Sequence, residues 1–368
     1  MKRPIDRLTL KGFKSIEALE GFELRPLNVL IGANGAGKSN FVELFRLLRT
    51  FADGGFQEYV RGAGGGDGFL FLGPKVTRSV YARLDFESNS YDFTLKPTSS
   101  GTLQVASERG AFNGYWKAIG SGNLESKLKT HWDLITSETM SFWCVPHYIF
   151  ESVCSWTVYH FHDTSALAPM RRDQSLHDTE MFRHDASNIA PFLLNLKLTA
   201  PESYSLVRDT IRLIAPFFDD FLLRIQKKGT EEQVRLEWRQ RGSDFPFQPN
   251  HLSDGTIRFI CLVVTLLQPD PPATILIDEP ELGLHPFAIS MLADLIKSAS
   301  ERTQVIISTQ SPTLLDYFGP EEIVVVNRRE GRSTFERLDA ESLSGWLEDY
   351  SVGELWQKNV VQGGPNRE

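Results

Sequence analysis

Eight residues near the start of the chain have the types and spacing to hold a phosphate. Gly32, Ala33, Asn34, Gly35, Ala36, Gly37, Lys38 and Ser39 satisfy G-x-x-x-x-G-K-[ST]. The glycines let backbone N–H groups wrap around phosphate oxygens, and a helix opening at Lys38 adds its partial positive charge. Lys38 then reaches the β- and γ-phosphates, the Ser39 hydroxyl is a ligand for Mg²⁺, and Asn40 completes the loop. A second group lies far along the chain. Ala273 to Ile277 form an apolar run that ends in Asp278 and Glu279. An aspartate at the end of a strand can hold Mg²⁺ through water, and a glutamate beside it can polarise an attacking water as a general base.

A third stretch, Leu252 to Thr256, reads LSDGT and runs into the apolar IRFICLVVTLL. Small polar residues and a glycine at such a helix start suit phosphate binding. Asp254, however, puts a negative charge where the phosphate would arrive. The expectation is that Asp254 turns aside and caps the helix N–H groups, a contact worth about 1 kcal/mol. Lesser candidates are Arg171 and Arg172, which could reach a phosphate or a nucleic-acid backbone but more commonly form a solvated face. His160 and His162 share a strand face, and with no third ligand at metal spacing they read as core or surface histidines.

The elements that must position these groups can be read from hydrophobic periodicity. IDRLTLKGFKSI reads as an edge strand and turn, and LNVLI (Leu27 to Ile31) as a buried parallel strand. KSNFVELFRLL places Phe41, Leu44, Phe45 and Leu48 on one helix face. Residues 51–73 read as a glycine-rich loop. SVYARLDFES, YDFTLKP and GTLQVAS form an antiparallel β layer. Residues 112–150, with Trp116, Trp132 and Trp143, read as an aromatic insertion with some helix. WTVYHFHD is a strand, two helices follow, and FLLRIQKKGTEEQVRLEW is a hairpin. The last third alternates helix and strand, which implies a parallel sheet with crossovers. Three regions are expected: residues 1–111, the insertion 112–150, and 151–368.

Taken together, GANGAGKSN, LSDGT, ILIDEPELGLHP, VIISTQSP and the opening LTLKGFKSIE resemble an ABC-type ATPase head of the RecF/SMC-like branch, close to the AAA-family ATPases of bacterial operons. The resemblance implies an α/β P-loop NTPase of ABC-ATPase type, with a mostly parallel core sheet, an antiparallel β layer and an inserted helical region. It makes GANGAGKS the Walker A motif, LSDGT the signature loop, and Asp278 and Glu279 the end of Walker B. It also implies that Ser253 and Gly255 bind the γ-phosphate of ATP held by a second copy, so that two heads close around ATP and Mg²⁺. Gln310 stands where the family usually has a histidine. A glutamine cannot become cationic, and slow hydrolysis is the expected consequence, unless Gln310 only caps a helix. The Q-loop glutamine is left between Gln104 and Gln174. A nucleotide-gated module with little turnover, serving a separate nuclease or effector chain, is the alternative, and DNA is left open as a partner. An OLD-like nuclease would need a metal-binding domain for which the segment after Pro312 has no room.

Composition limits the rest. The chain has 368 residues and a formal net charge of −8, which argues against coating nucleic acid with the whole surface. Cys144, Cys154 and Cys261 are odd in number with no CxxC, as expected of a reducing cytoplasm. No apolar run reaches the ~20 residues of a membrane span, and the start shows no apolar leader. The interval between Ser39 and Leu252 carries no sustained heptads, so the long coiled coil of SMC proteins is not expected.

Overall fold

Alternation builds the first layer. In the computed structural model, which describes residues 3–135 and 144–361, β1 (Arg7–Phe13) and β2 (Ile16–Glu23) pair antiparallel through a turn at Lys14 and Ser15. β3 (Leu27–Ile31) is buried at all five positions, as a strand covered on both faces must be. It leads into α1 (Lys38–Asp53), whose Phe41, Leu44, Phe45 and Leu48 are buried along the expected stripe. α2 (Phe56–Gly62) follows. β4 (Val80–Phe86), β5 (Asn89–Pro97), β6 (Leu103–Phe112) and β7 (Tyr115–Gly120) complete an antiparallel sheet of order β2-β1-β4-β5-β6-β7. α3 (Leu128–Ile135) and α4 (Val145–Cys154) pack on α1, and β8 (Trp156–Tyr159) ends this run.

The chain divides into two units. The first comprises residues up to Val158, Pro272–Leu276 and everything from Thr303 onward, and the second comprises Tyr159–Pro271 and Ile277–Arg302. The second unit contains β9 (Gln174–Ser175), α5 (Ile189–Thr199) and α6 (Pro201–Ile214). β10 (Phe218–Leu222), β11 (Ile225–Lys228), β12 (Glu231–Val234), β13 (Glu237–Gln240) and β14 (Pro246–Phe247) follow in two small antiparallel sheets. Then come α7 (Asp254–Leu267), β15 (Thr274–Asp278), which crosses the boundary between the units, and α8 (Pro286–Ser300). Back in the first unit lie β16 (Gln304–Thr309), α9 (Pro312–Leu315), β17 (Ile323–Arg329), β18 (Arg332–Arg337), α10 (Ala340–Leu347) and α11 (Val352–Gln357).

The core sheet has the order β18-β17-β3-β16-β15-β8. β3 pairs parallel with both β16 and β17, and β18 returns antiparallel to β17. The first unit's core is aromatic. Phe51 packs edge-on against Phe56 and Phe93 at 5.1 and 5.0 Å, and truncating such a residue costs about 3–5 kcal/mol.

Four expectations change. β1 is not an edge strand, because β4 flanks it opposite β2. The stretch 51–73 is not one loop: α1 continues through Asp53, and α2 buries Phe56 and Val60 between glycine turns. The aromatic insertion is partly sheet. Trp116 lies on β7, where Arg83 and Arg109 approach its ring at 5.2 and 5.1 Å, while Trp132 stacks on His147 and Phe150. Trp143 lies outside the described residues. The strand expected over WTVYHFHD stops at Tyr159, before both histidines. No described helix is long and apolar enough to cross a membrane.

Candidate nucleotide-binding site

The phosphate loop joins β3 to α1, and its conformation demands glycine at two points. Gly35 and Gly37 have φ of 80° and 115°, the left-handed region that favours glycine. Gly37 is the residue before α1, so the helix starts with no side-chain cap and no acidic residue in its first turn. A Cβ at Gly37 would lie 2.1 Å from Ser333 Oγ, and one at Gly32 would lie 2.2 Å from the Val326 carbonyl oxygen. The loop is therefore pressed against β17 and β18. Hydroxyls brace it from behind in one directed chain. Asn40 Nδ2 donates to Ser15 Oγ at 2.7 Å, Ser15 and Ser333 Oγ are 2.6 Å apart, and Ser333 Oγ donates to the Ala36 carbonyl at 2.6 Å. Lys38 is buried and donates to the carbonyls of Gly32, at 2.6 Å, and Ala33, at 3.3 Å. Ser39 is exposed at the helix mouth. Arg328 Nη1 reaches the Gly35 carbonyl at 3.3 Å.

The acidic pair lies at the end of β15, with Asp278 and Glu279 both half-buried. Glu279 has φ 46°, a left-handed conformation that costs a non-glycine residue about 1–2 kcal/mol, and strain of this kind clusters at functional sites. His162 Nε2 lies 2.9 Å from the Asp278 carbonyl oxygen, and the His160 and His162 rings stack at 4.4 Å. His162 thus braces the end of β15, and no group of three metal-ligating residues occurs among the described residues.

α7 starts differently from the expectation for Asp254. Ser253 is the cap: its Oγ accepts from Thr256 N–H at 3.2 Å. Asp254 is the first helical residue and turns aside to an ion pair with Arg171, at 2.9 Å. Arg171 is accordingly neither a solvated residue nor a free phosphate ligand, because its guanidinium is buried against the loop. Arg172 is exposed and donates to the Leu167 carbonyl at 2.6 Å. A Cβ at Gly255 would lie 2.5 Å from the Gly283 carbonyl oxygen, so only glycine lets the loop after β15 pass so close. Arg258, a single cation in the apolar helix, donates to the carbonyls of Phe161, at 3.0 Å, and of Leu282. Burial pushes its pKa down, with Asp254 pulling it back up.

Gln310 follows β16 and is half-buried. The cap of α9 is Ser311, which accepts from Leu314 N–H at 3.2 Å. Of the two Q-loop candidates, Gln174 is buried with both ends engaged. Its Nε2 donates to the Pro169 carbonyl, and its Oε1 accepts from Ala190 N–H at 2.8 Å. Gln104 lies in β6, opposite Lys96. Burial pushes the Cys261 thiol up and leaves it unreactive at neutral pH.

Sequence reasoning missed Ser15, Ser333, Arg258 and Arg328. Ser15 and Ser333 are separated by 318 positions, and no local pattern links them. Arg258 did carry a signal, as the one charge within IRFICLVVTLL.

Residues 27–102 and 155–316, well over half the chain, match a family described as AAA domain, putative AbiEii toxin, type IV TA system. Among curated proteins none matches. The Smc head bound to the C-terminal winged-helix domain of ScpA is similar at 17% identity and a TM-score of 0.61, over 93% of this chain and 99% of that one. A Smc head with an extended coiled coil, bound to the C-terminal domain of ScpA from Pyrococcus furiosus, gives 15% identity and a TM-score of 0.56 over 94% and 98%. These likenesses establish the fold. The chain belongs to the AAA-domain family described as putative AbiEii toxin, and it has the P-loop ATPase fold of the ABC-type heads of Smc.

Proposed function

We propose that the protein binds ATP with Mg²⁺, that two copies close around the nucleotide, and that hydrolysis releases them. The observation that carries this reading is the start of α1, where left-handed Gly37 leaves the helix without a side-chain cap and Lys38 lies folded against the loop carbonyls. An uncapped N-terminus forgoes about 1 kcal/mol and keeps its N–H groups for an anion. Gly32 and Gly37 leave no room for a Cβ against the Val326 carbonyl and Ser333, and Gly35 takes a left-handed φ, so the loop keeps its wrapped backbone only with glycine there.

Lys38 would hold the β- and γ-phosphates. The hydroxyl of Ser39 and the carboxylate of Asp278 are hard oxygen donors and fit Mg²⁺. Mg²⁺, when bound, would neutralise charge on the phosphates. Glu279 would orient a water for attack on the γ-phosphorus, in line with the departing oxygen of ADP, and take its proton. Ser253 and Gly255 would meet the γ-phosphate held by the other copy. Opening and closing of the pair would drive or gate a partner process, with a separate nuclease or effector chain, or DNA, as the partner class. The reading places this work in the cytoplasm.

A second reading, a nucleotide gate with little turnover, is favoured by Gln310, which cannot supply positive charge as the phosphate leaves. Turnover and mass together separate the two. ATP hydrolysis by the wild type at rates typical of enzymes supports the first. Dimer formation with ATP and no hydrolysis supports the second. A monomer that neither binds nor cleaves ATP contradicts both.

A further inference from the structure

Asp254 poses a problem for the dimer reading, because an exposed carboxylate stands at a helix start that is to receive a phosphate. Its side chain is 72% exposed, while that of its partner Arg171 is only 4% exposed. Arg171 is held by the chain around it. Its Nε donates to the Thr164 carbonyl at 3.0 Å, and Nη1 to the carbonyls of Pro249 and, at 3.2 Å, Leu252. Nη2 donates to the Leu252 carbonyl at 3.3 Å and to Asp254 Oδ1 at 2.9 Å. The guanidinium is thus fixed by three backbone carbonyls, independently of Asp254, and is aimed at the first turn of α7. Arg258, one turn further along α7 than Asp254, ties the same helix to the Leu282 carbonyl.

We propose that Arg171 is a positioning residue for ATP-driven dimerisation: it cancels the charge of Asp254 and sets the signature loop, so that the nucleotide phosphate of a second copy can meet Ser253 and Gly255. The inference rests on the dimer reading. Two like charges a few ångströms apart repel strongly away from bulk water. A buried arginine at ion-pair distance removes that barrier without itself reaching the phosphate.

The test uses the full chain carrying Glu279→Gln, so that hydrolysis does not dissolve the dimer. Light scattering during ATP titration reports dimerisation, and calorimetry with ADP reports binding to the chain's own phosphate loop. Arg171→Met should weaken dimerisation about tenfold or more, the effect of one lost charge interaction, with ADP affinity within about twofold. Adding Asp254→Asn to Arg171→Met should restore most of the dimer, a rescue that a merely structural role does not give. Asp254→Asn alone should leave the dimer as tight or tighter. Where Arg171→Met does not fold by circular dichroism, Arg171→Lys, which keeps the charge, should retain the dimer. An Arg171→Met protein that dimerises like its parent, a failed rescue, or loosening by Asp254→Asn alone overturns the inference. A Glu279→Gln parent that stays monomeric with ATP overturns the dimer reading, and the inference with it.

Discussion

α1 and α7 both begin where a glycine is pressed against neighbouring groups, Gly37 against Ser333 and Gly255 against the Gly283 carbonyl, but their first turns are chemically opposite. α1 has no cap and no acid. α7 is capped by Ser253 and carries Asp254. The bracing differs as well. Neutral hydroxyls and a side-chain amide support the first loop from within, with only the exposed Arg328 guanidinium reaching it, whereas two buried guanidiniums support the second. An uncapped start stands ready for the chain's own nucleotide. A capped and charge-balanced start is stable without a ligand, as the proposed dimer reading requires of a loop that would meet phosphate only when a partner brings it.

The largest expected effect falls on the first loop alone. Lys38→Ala should raise the ATP dissociation constant at least about 100-fold, since charge-assisted contacts to phosphate are worth roughly 1.5–3 kcal/mol each. Isothermal titration reads this, and an unchanged affinity would remove the loop from nucleotide binding. Glu279→Gln should keep affinity and slow turnover by about 10²–10⁴-fold. Equal turnover would exclude Glu279 as the base.

The paired glycines sharpen the comparison. Gly37→Ala should cost about 2–4 kcal/mol, because it combines a left-handed φ with a clash, and it should weaken ATP binding. Gly255→Ala should displace the Gly283 loop, leave ATP affinity nearly intact and reduce ATP-driven dimerisation. Thermal melts and titrations of both proteins read the difference, and equal losses of affinity would show that the two loops do not divide the work. The smallest effect is expected from Ser253→Ala, about 1 kcal/mol of stability for a lost cap, visible as a lower urea midpoint. No change in stability would mean that another group caps α7.

The phosphate loop was legible in sequence because its parts are contiguous: Gly32 to Ser39 carry the motif, the turn and the helix start together. The core sheet was legible for a similar reason, since runs such as LNVLI and TQVIIST admit only burial. What was missed depends on long-range contacts. Local pattern makes Asp254 a cap, because capping is local, while its actual partner lies 83 positions away. Arg171 and Arg172 look alike in APMRRDQ, and only tertiary packing buries one and exposes the other. α2 was hidden by the glycines on either side of it, and β7 by aromatic residues that read as irregular.

The central claim is that one ATP is held by the phosphate loop of one copy and the signature loop of another. It is tested by mixing two variants, each also carrying Glu279→Gln. Lys38→Ala destroys the first loop and keeps the second, while Ser253→Arg blocks the second and keeps the first. Each alone should remain monomeric with ATP in light scattering. Mixed in equal amounts they should form a dimer that depends on ATP, because one complete site can still assemble. A mixture that stays monomeric while the Glu279→Gln parent dimerises, or a Ser253→Arg chain that dimerises on its own, would contradict the shared site.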